Sequence, residues 1–317
     1  MQIYLKESNC EWINLVILQL QIKKQILMIV IADCGGTKGD WVIADGGVCL
    51  HRMKTGGINP FSLSEDDILA RMKEFAVACR NVLSTAHSLD ICFYGAGCNA
   101  VGTVKIESLL SKAFMPFSVP LHLSVSSDLL GAARALCGAS EGIACILGTG
   151  SNSCLYDGRE ITDNTPPLGY ILGDEGSGAD LGKHFLHALL KGRLSASLRE
   201  EFYDAYATSY SRILQRVYAG SGANSYMAGI APFILGHIED TDIAEMVQSR
   251  FRSFFRYNIA RYHRPDLAVG FVGGIASGFY SQLVQAAHDE GFEIGDVRQS
   301  PMKGLLSYYG VDGGCFL

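Results

Sequence analysis

Asp33-Cys34-Gly35-Gly36-Thr37-Lys38-Gly39-Asp40 and, further along, Leu147-Gly148-Thr149-Gly150-Ser151-Asn152 are the two stretches on which the reading of this chain turns. The first lies between apolar, strand-like runs at 28–33 and 41–44. Paired glycines let a backbone come close to an anion and aim N–H groups at it, and Thr37 adds a hydroxyl donor. Asp33 ends the first run, where a carboxylate could hold a hydrated Mg2+ beside phosphates. Taken alone, a Gly-rich hairpin with no ligand explains the segment equally well. The second stretch occupies the equivalent place in the other half of the chain, between strands expected at 143–147 and 153–156. Two such hairpins could grip a phosphate chain from both sides.

Outward from the first hairpin, Asp45-Gly46-Gly47 predicts a tight turn into a third strand at 48–54. Ser64 followed by Asp67 predicts a capped helix, with Ile68, Met72, Phe75, Cys79 and Val82 at helical spacing. Strands at 90–94 and 121–126 alternate with helices at 104–114 and from 128 onward. This is β-β-β-α-β-α-β-α. From Gly142 the order restarts, with short strands at 143–147, 153–156 and 159–162, helical pieces over 179–262, a buried strand at 267–272, a helix at 275–288, a strand at 292–297 and a last helix near 302–309. No low-complexity linker separates the halves, so an α/β molecule of two lobes with a cleft between them is expected. A third glycine cluster, Val272-Gly273-Gly274-Ile275-Ala276-Ser277-Gly278, joins a buried strand to a helix. It allows a flat ligand against the backbone, or simply close strand–helix packing.

Composition narrows the partners. The 317 residues carry 26 Lys and Arg against 32 Asp and Glu, a net charge of −6, with no basic run. Nucleic acid and anionic membranes are thus expected to be excluded. Ten cysteines include no C-x-x-C pair and mostly sit in apolar runs, which points to reduced thiols and a cytoplasmic setting rather than a disulfide framework. Trp12–Leu20 is too short an apolar run to span a bilayer. Since Met28 directly precedes the first strand, residues 1–27 read as an extension or a mis-assigned start, a short surface helix being the alternative.

In this order and on this doubled topology, the three glycine segments resemble those of the sugar-kinase, heat-shock ATPase and actin superfamily. Within it the chain is most similar to the N-acetylglucosamine kinases, in the family that also holds the benzoyl-CoA reductase activator ATPases. Asp33–Thr37 matches the phosphate-one motif, Gly148–Asn152 the phosphate-two motif and Val272–Ser277 the adenosine motif. Gly57-Ile58-Asn59-Pro60, Ser127–Ala133 and Gly173-Asp174-Glu175-Gly176-Ser177-Gly178 match further segments. One departure is Pro166-Pro167-Leu168-Gly169-Tyr170, where the N-acetylglucosamine kinases carry a Trp between glycines.

The resemblance implies two ribonuclease H-like lobes, an N-terminal one at 28–137 joined by a C-terminal helix at 300–317, and a C-terminal one at 138–299. It implies ATP bound by Gly35, Gly36, Thr37, Lys38, Gly148, Thr149, Gly150, Gly273, Gly274 and Ser277, with Mg2+ at Asp33. Asp128 corresponds to the carboxylate that takes a proton from the sugar hydroxyl, although an ordinary N-cap explains it too and both roles can hold. Asn59, Gly97, Ser151, Asn152, Gly169, Asp174 and Glu175 correspond to sugar-binding positions. An Asn that merely suits an unusual turn competes at Asn59. Adjacent carboxylates such as Asp174 and Glu175 are costly to bury unless they meet hydroxyls or metal. His184 and His187, three apart on a helix without a further ligand, read most simply as a partly exposed face.

The expected activity is ATP-dependent phosphorylation of an amino sugar, N-acetylglucosamine first, at its 6-hydroxyl. A homodimer is the assembly to test. Two rivals remain at this stage. One is an ATPase activator of a redox enzyme, which needs cysteine thiolates around an iron–sulfur cluster and has Cys92 and Cys98 as its nearest pair. The other is a sugar sensor without catalysis.

Overall fold

The computed structural model describes residues 28–218 and 222–316, so the reading of 1–27 lies outside the described residues. The chain divides into two compact units, one reaching Asp128 and taking up Tyr309–Leu317, the other formed by Leu129–Tyr308. Each holds a five-stranded sheet, ordered Val48–Gly56, Lys38–Asp45, Met28–Cys34, Leu89–Gly95, Leu121–Ser127 in the first and Ile294–Arg298, Val269–Val272, Gly142–Leu147, Ser151–Tyr156, Ile161–Asp163 in the second. Apart from direction of reading the two orders are the same.

In the first unit, β1 (Met28–Cys34), β2 (Lys38–Asp45) and β3 (Val48–Gly56) form an antiparallel meander. The Asp45–Val48 turn works because Gly46 and Gly47 both take positive φ, +57° and +83°, the requirement of a twist-matched two-residue hairpin. β4 (Leu89–Gly95) and β5 (Leu121–Ser127) then add in parallel on the other side of β1. Ser64 caps the helix Glu65–Ala78 as its spacing predicts, accepting from the Asp67 N–H at 3.1 Å. That helix buries Ile68, Met72 and Phe75, and Phe75 stacks on the buried Trp41 at 4.8 Å. It ends before Cys79, and Val82 belongs to a separate short turn, Arg80–Leu83. The next helix begins at Ala100 rather than 104, because the Asn99 side chain accepts from the N–H groups of Val101 and Gly102. An Asn N-cap satisfies two otherwise orphaned donors there.

The second unit repeats the meander with β6 (Gly142–Leu147), β7 (Ser151–Tyr156) and β8 (Ile161–Asp163), and adds β9 (Val269–Val272) and β10 (Ile294–Arg298) in parallel. Its core is aromatic, with Phe185, Phe202 and Phe233 packed at 5.1–5.6 Å between ring centres. The helices Asp128–Cys137 and Met302–Tyr308 fall almost wholly in this unit, whereas the sequence reading groups both with the first. The reason is packing: Leu129 and Ala133 cluster with Ala144, Cys154 and Tyr156 of β6 and β7, and the two helices lie against each other. A Cβ on Gly304 would collide with the Ala135 carbonyl, and Arg134 lies over the Tyr308 ring at 5.3 Å.

Cysteine usage also differs in one pair. Cys49 on β3 and Cys315 form a disulfide with Cα atoms 5.7 Å apart, while Cys34, Cys79, Cys92, Cys98, Cys137, Cys145 and Cys154 take part in no disulfide. Among the described residues no helix is long and apolar enough to cross a membrane.

Candidate active site

In the first unit, one edge of the sheet collects the residues of interest. The strand register places Cys34 beside Gly95 and Gly95 beside Ser127, so the carboxyl ends of the parallel strands β1, β4 and β5 are level. Ligands in open α/β sheets bind outside such ends. The segments leaving them are the Gly35–Thr37 turn, Gly95–Asn99 and the helix opened by Asp128. The turn is closed by the Gly35 N–H donating to the Lys38 carbonyl at 3.0 Å, and Gly36, Thr37 and Lys38 are exposed.

Asp33, half-buried at the end of β1, faces Asp40 across the β1–β2 pair. Asp40 is buried and receives both Nε and Nη2 of Arg52, at 2.9 and 2.6 Å. The Asp33 carboxyl is pushed up to about 7, first by burial, then by the Asp128 and Asp40 carboxylates, with Lys38 opposing the rise. Asp33 and Asp128, 95 positions apart in sequence, are therefore brought close enough to repel.

The loop after β3 is docked onto the first hairpin. Ile58 N–H donates to the Gly35 carbonyl at 3.1 Å, and a Cβ on Gly57 would collide with the backbone of Gly35, Gly36 and Thr37. Arg71, from the helix Glu65–Ala78, donates to the Gly57 carbonyl. Asn59 Oδ1 accepts the Phe61 N–H at 2.9 Å, so the turn explanation for this Asn holds. The same Oδ1 sits against Gly97, whose φ is +79° and where a Cβ would lie 2.9 Å away. Asn59 and Gly97 are thus neighbours, as a shared binding role requires.

The second unit builds its hairpin the same way. Leu147 pairs with Ser151, and Gly148 N–H donates to the Gly150 carbonyl at 3.0 Å. The turn Gly173–Gly178 clasps it. Gly178 N–H donates to the Gly148 carbonyl at 2.8 Å and Ala179 N–H to that of Thr149 at 3.1 Å. Asp174 is buried, has φ +54°, and accepts the Ser151 N–H. A Cβ on Gly150 would be 3.0 Å from its Oδ2, so the carboxylate covers the hairpin. Burial raises the Asp174 carboxyl to about 6, against the Ser151 hydrogen bond. Glu175 accepts from Asn258 at 3.3 Å, which a π-helical turn, Phe255–Ile259, carries inward; such turns recur at functional sites.

Asn152 Oδ1 accepts from Ser153 N–H and Asn164 Nδ2, each at 2.9 Å. Gly169, at φ +73°, lies in an exposed turn but accepts the Gly173 N–H at 2.8 Å and is so tied to the Asp174 loop. Gly273, with φ +130°, approaches so closely that a Cβ would strike the Leu147 carbonyl, and Ser277 Oγ donates to the Gly273 carbonyl at 3.0 Å. The adenosine-type cluster therefore abuts the second hairpin. His184 is partly exposed on its helix, as read from the sequence, and its Nδ1 also lies 3.2 Å from Asp180 Oδ1. The sequence reading passed over Asp40–Arg52, Arg71 and Asp180, because none shows a local pattern that marks its partner.

No protein-family model matches the chain, and no curated protein does. Among solved structures, a provisionally assigned N-acetylglucosamine kinase from Porphyromonas gingivalis is 44% identical, over 89% of this chain and 99% of that one, with a TM-score of 0.84. The chain belongs to the N-acetylglucosamine kinase-like family. A second family structure, provisionally assigned likewise and from Chromobacterium violaceum, is 19% identical with a TM-score of 0.69, covering 89% and 99% of the two chains. The ethanolamine utilization protein EutJ of Carboxydothermus hydrogenoformans, 15% identical over 90% and 88% with a TM-score of 0.50, shares the fold. These likenesses establish the α/β fold of two actin-like ATPase units read from the motifs.

The raised carboxyls of this family member have a consequence for stability. Asp33 and Asp174 hold protons in the folded chain up to about 7 and about 6, against about 4 when unfolded. The folded state then binds more protons than the unfolded one between these values, so stability falls as pH rises through that window. In divalent-free buffer the melting temperature should drop by several degrees from pH 5 to pH 8. The gain in melting temperature of Asp33→Asn over wild type should be larger at pH 8 than at pH 5. A variant no more stable than wild type at pH 8 would remove the carboxylate crowding as the cause.

Proposed function

We propose that the protein is an ATP-dependent kinase that phosphorylates an amino sugar, N-acetylglucosamine first, at the 6-hydroxyl. The observation that carries the reading is the meeting of Asp128 with Asp33 at the carboxyl edge of β1, β4 and β5, beside the Gly35–Lys38 hairpin. Phosphoryl transfer needs positioning and charge stabilisation more than covalent chemistry by the protein. Asp128 accepts the proton of the attacking hydroxyl. Asn59 and Gly97 in the first unit, and Ser151, Asn152, Asp174, Glu175 and the Gly169 turn in the second, bind sugar hydroxyls. Gly35, Gly36, Thr37 and Lys38 on one hairpin, and Gly148, Thr149 and Gly150 on the other, donate to the nucleotide's phosphates. Gly273, Gly274 and Ser277 bear the nucleoside.

A divalent cation fits the first unit. Carboxylates that crowd and raise Asp33 are relieved by a positive ion. Asp33 would hold Mg2+ there, one carboxylate being a usual protein share of that ion's ligands, and the ion would supply charge neutralisation for the transferring phosphoryl group. A cytoplasmic location suits a user of ATP.

The redox-activator reading loses support from the cysteines. Cys92 in β4 and Cys98 are both buried, whereas a cluster held between subunits needs its cysteines at a surface. The experiment is a coupled ADP-release assay over N-acetylglucosamine, glucosamine, N-acetylmuramate and glucose, with the product's phosphate position read by NMR. Release that depends on N-acetylglucosamine and yields a 6-phosphate is expected. Release independent of any sugar, or none at all, would overturn the kinase reading and leave the activator or the sensor.

A further inference from the structure

Asp180 lies just beyond the Gly173–Gly178 segment, in the first turn of the helix Gly178–Leu190, and is almost fully buried at 1% exposure. A buried carboxylate is tolerated when it is paired and hydrogen-bonded. Here Oδ2 accepts the Gly176 N–H at 3.1 Å and Arg250 Nε at 2.7 Å, while Oδ1 lies 3.2 Å from both Lys183 Nζ and His184 Nδ1. Against the upward push of burial, His184 and Arg250 hold the Asp180 carboxyl well below the usual carboxylate range. Lys183 Nζ also donates to the Tyr170 carbonyl at 3.2 Å. The pair thus grips the chain on both sides of Asp174, at Tyr170 before it and at Gly176 after it. No position of the family resemblance assigns either residue a role.

We propose that Asp180 and Lys183 are positioning residues for sugar binding by Asp174, tying down both flanks of its turn and setting the charge that its carboxyl meets. The inference rests on the kinase reading given above. Asp174 faces three charged groups: Glu175 and Asp180, which raise its carboxyl, and Lys183, which lowers it. Because Asp174 must be ionised to accept sugar hydroxyls as a carboxylate, sugar affinity weakens as pH falls through its titration. Removing Lys183 shifts that midpoint up, and removing the Asp180 charge shifts it down. A purely structural role would move both variants alike.

The test compares wild type, Lys183→Met and Asp180→Asn in full-length protein. In Lys183→Met the KM for sugar should rise about tenfold while the KM for ATP stays within twofold, about 1.4 kcal/mol separating the two substrates. The pH midpoint of sugar affinity should move up in Lys183→Met and down in Asp180→Asn. Lys183 is partly exposed, at 38% of its side chain, so its replacement leaves the core intact; should Asp180→Asn fail to fold, Lys183→Met decides alone. A Lys183→Met enzyme with wild-type sugar KM and wild-type midpoint overturns the proposal. Amide hydrogen exchange over 173–178 in the sugar-free protein separates the two layers. Faster exchange in Lys183→Met, with no sugar-dependent turnover in wild type, would sink the kinase reading while upholding the grip on the turn. Unchanged exchange would sink the grip itself.

Discussion

Asp128→Asn should lower kcat by roughly 10²–10⁴-fold, the usual share of a positioned general base. The substitution keeps the size of the side chain but removes its charge and its basic lone pair. Asp128 is the first residue of the helix Asp128–Cys137, and Asn is well suited to helix N-termini, so that helix should form as before. Loss of the charge also takes away one of the carboxylates that crowd Asp33, so the Asp33 carboxyl should titrate lower in the variant. The melting temperature at pH 8 should accordingly be no lower than that of wild type. The KM for ATP should change little, since the phosphates are assigned to the hairpins. Steady-state kinetics and a melting curve check all three. Near wild-type turnover in a folded variant would reduce Asp128 to a cap and make Asp174 the next candidate base.

Gly36→Val should raise the KM for ATP by about 100-fold, comparable to losing one or two hydrogen bonds to a charged group. Gly36 is exposed and a Cβ there meets no protein atom within 4 Å, so the folded chain has room for the side chain. The phosphates do not, if the Gly35–Lys38 turn cradles them. The contrast with Gly57 is instructive, because any side chain at Gly57 presses on the backbone of that same turn. A defect at Gly57 would mix folding with binding, whereas a defect at Gly36 reports on the ligand alone. Calorimetric titration of ATP onto Gly36→Val, with its melting temperature alongside, reads the effect. Wild-type affinity in the folded variant would remove the first hairpin from the nucleotide site.

Much of this protein is legible in its amino-acid sequence, and the legible parts share a physical character. The Asp45–Val48 turn, the Ser64 cap and the two glycine hairpins depend on residues within a few positions of one another. Backbone sterics and local hydrogen bonds decide them, and the residue types alone announce them. The doubled order of strands followed from the spacing of such signals, and the motif resemblance led to the family.

Tertiary structure alone decided the remainder. Asp128 reads equally as a cap or a base until the level ends of β1, β4 and β5 set it beside Asp33. Arg71 on its helix shows nothing of the Gly57 carbonyl it holds, and Asp180 nothing of Arg250, 70 positions away. The helix Asp128–Cys137 joins the second unit through Leu129 and Ala133 against β6 and β7, the helix Met302–Tyr308 lies on it through the approach of Gly304 to Ala135, and Cys49 meets Cys315 across 266 positions. Local propensity is a property of a short segment, so sequence expresses it directly. The partner of a buried charge, a bare glycine or a thiol is whatever the packed chain brings within a few ångströms, and that is a property of the whole fold.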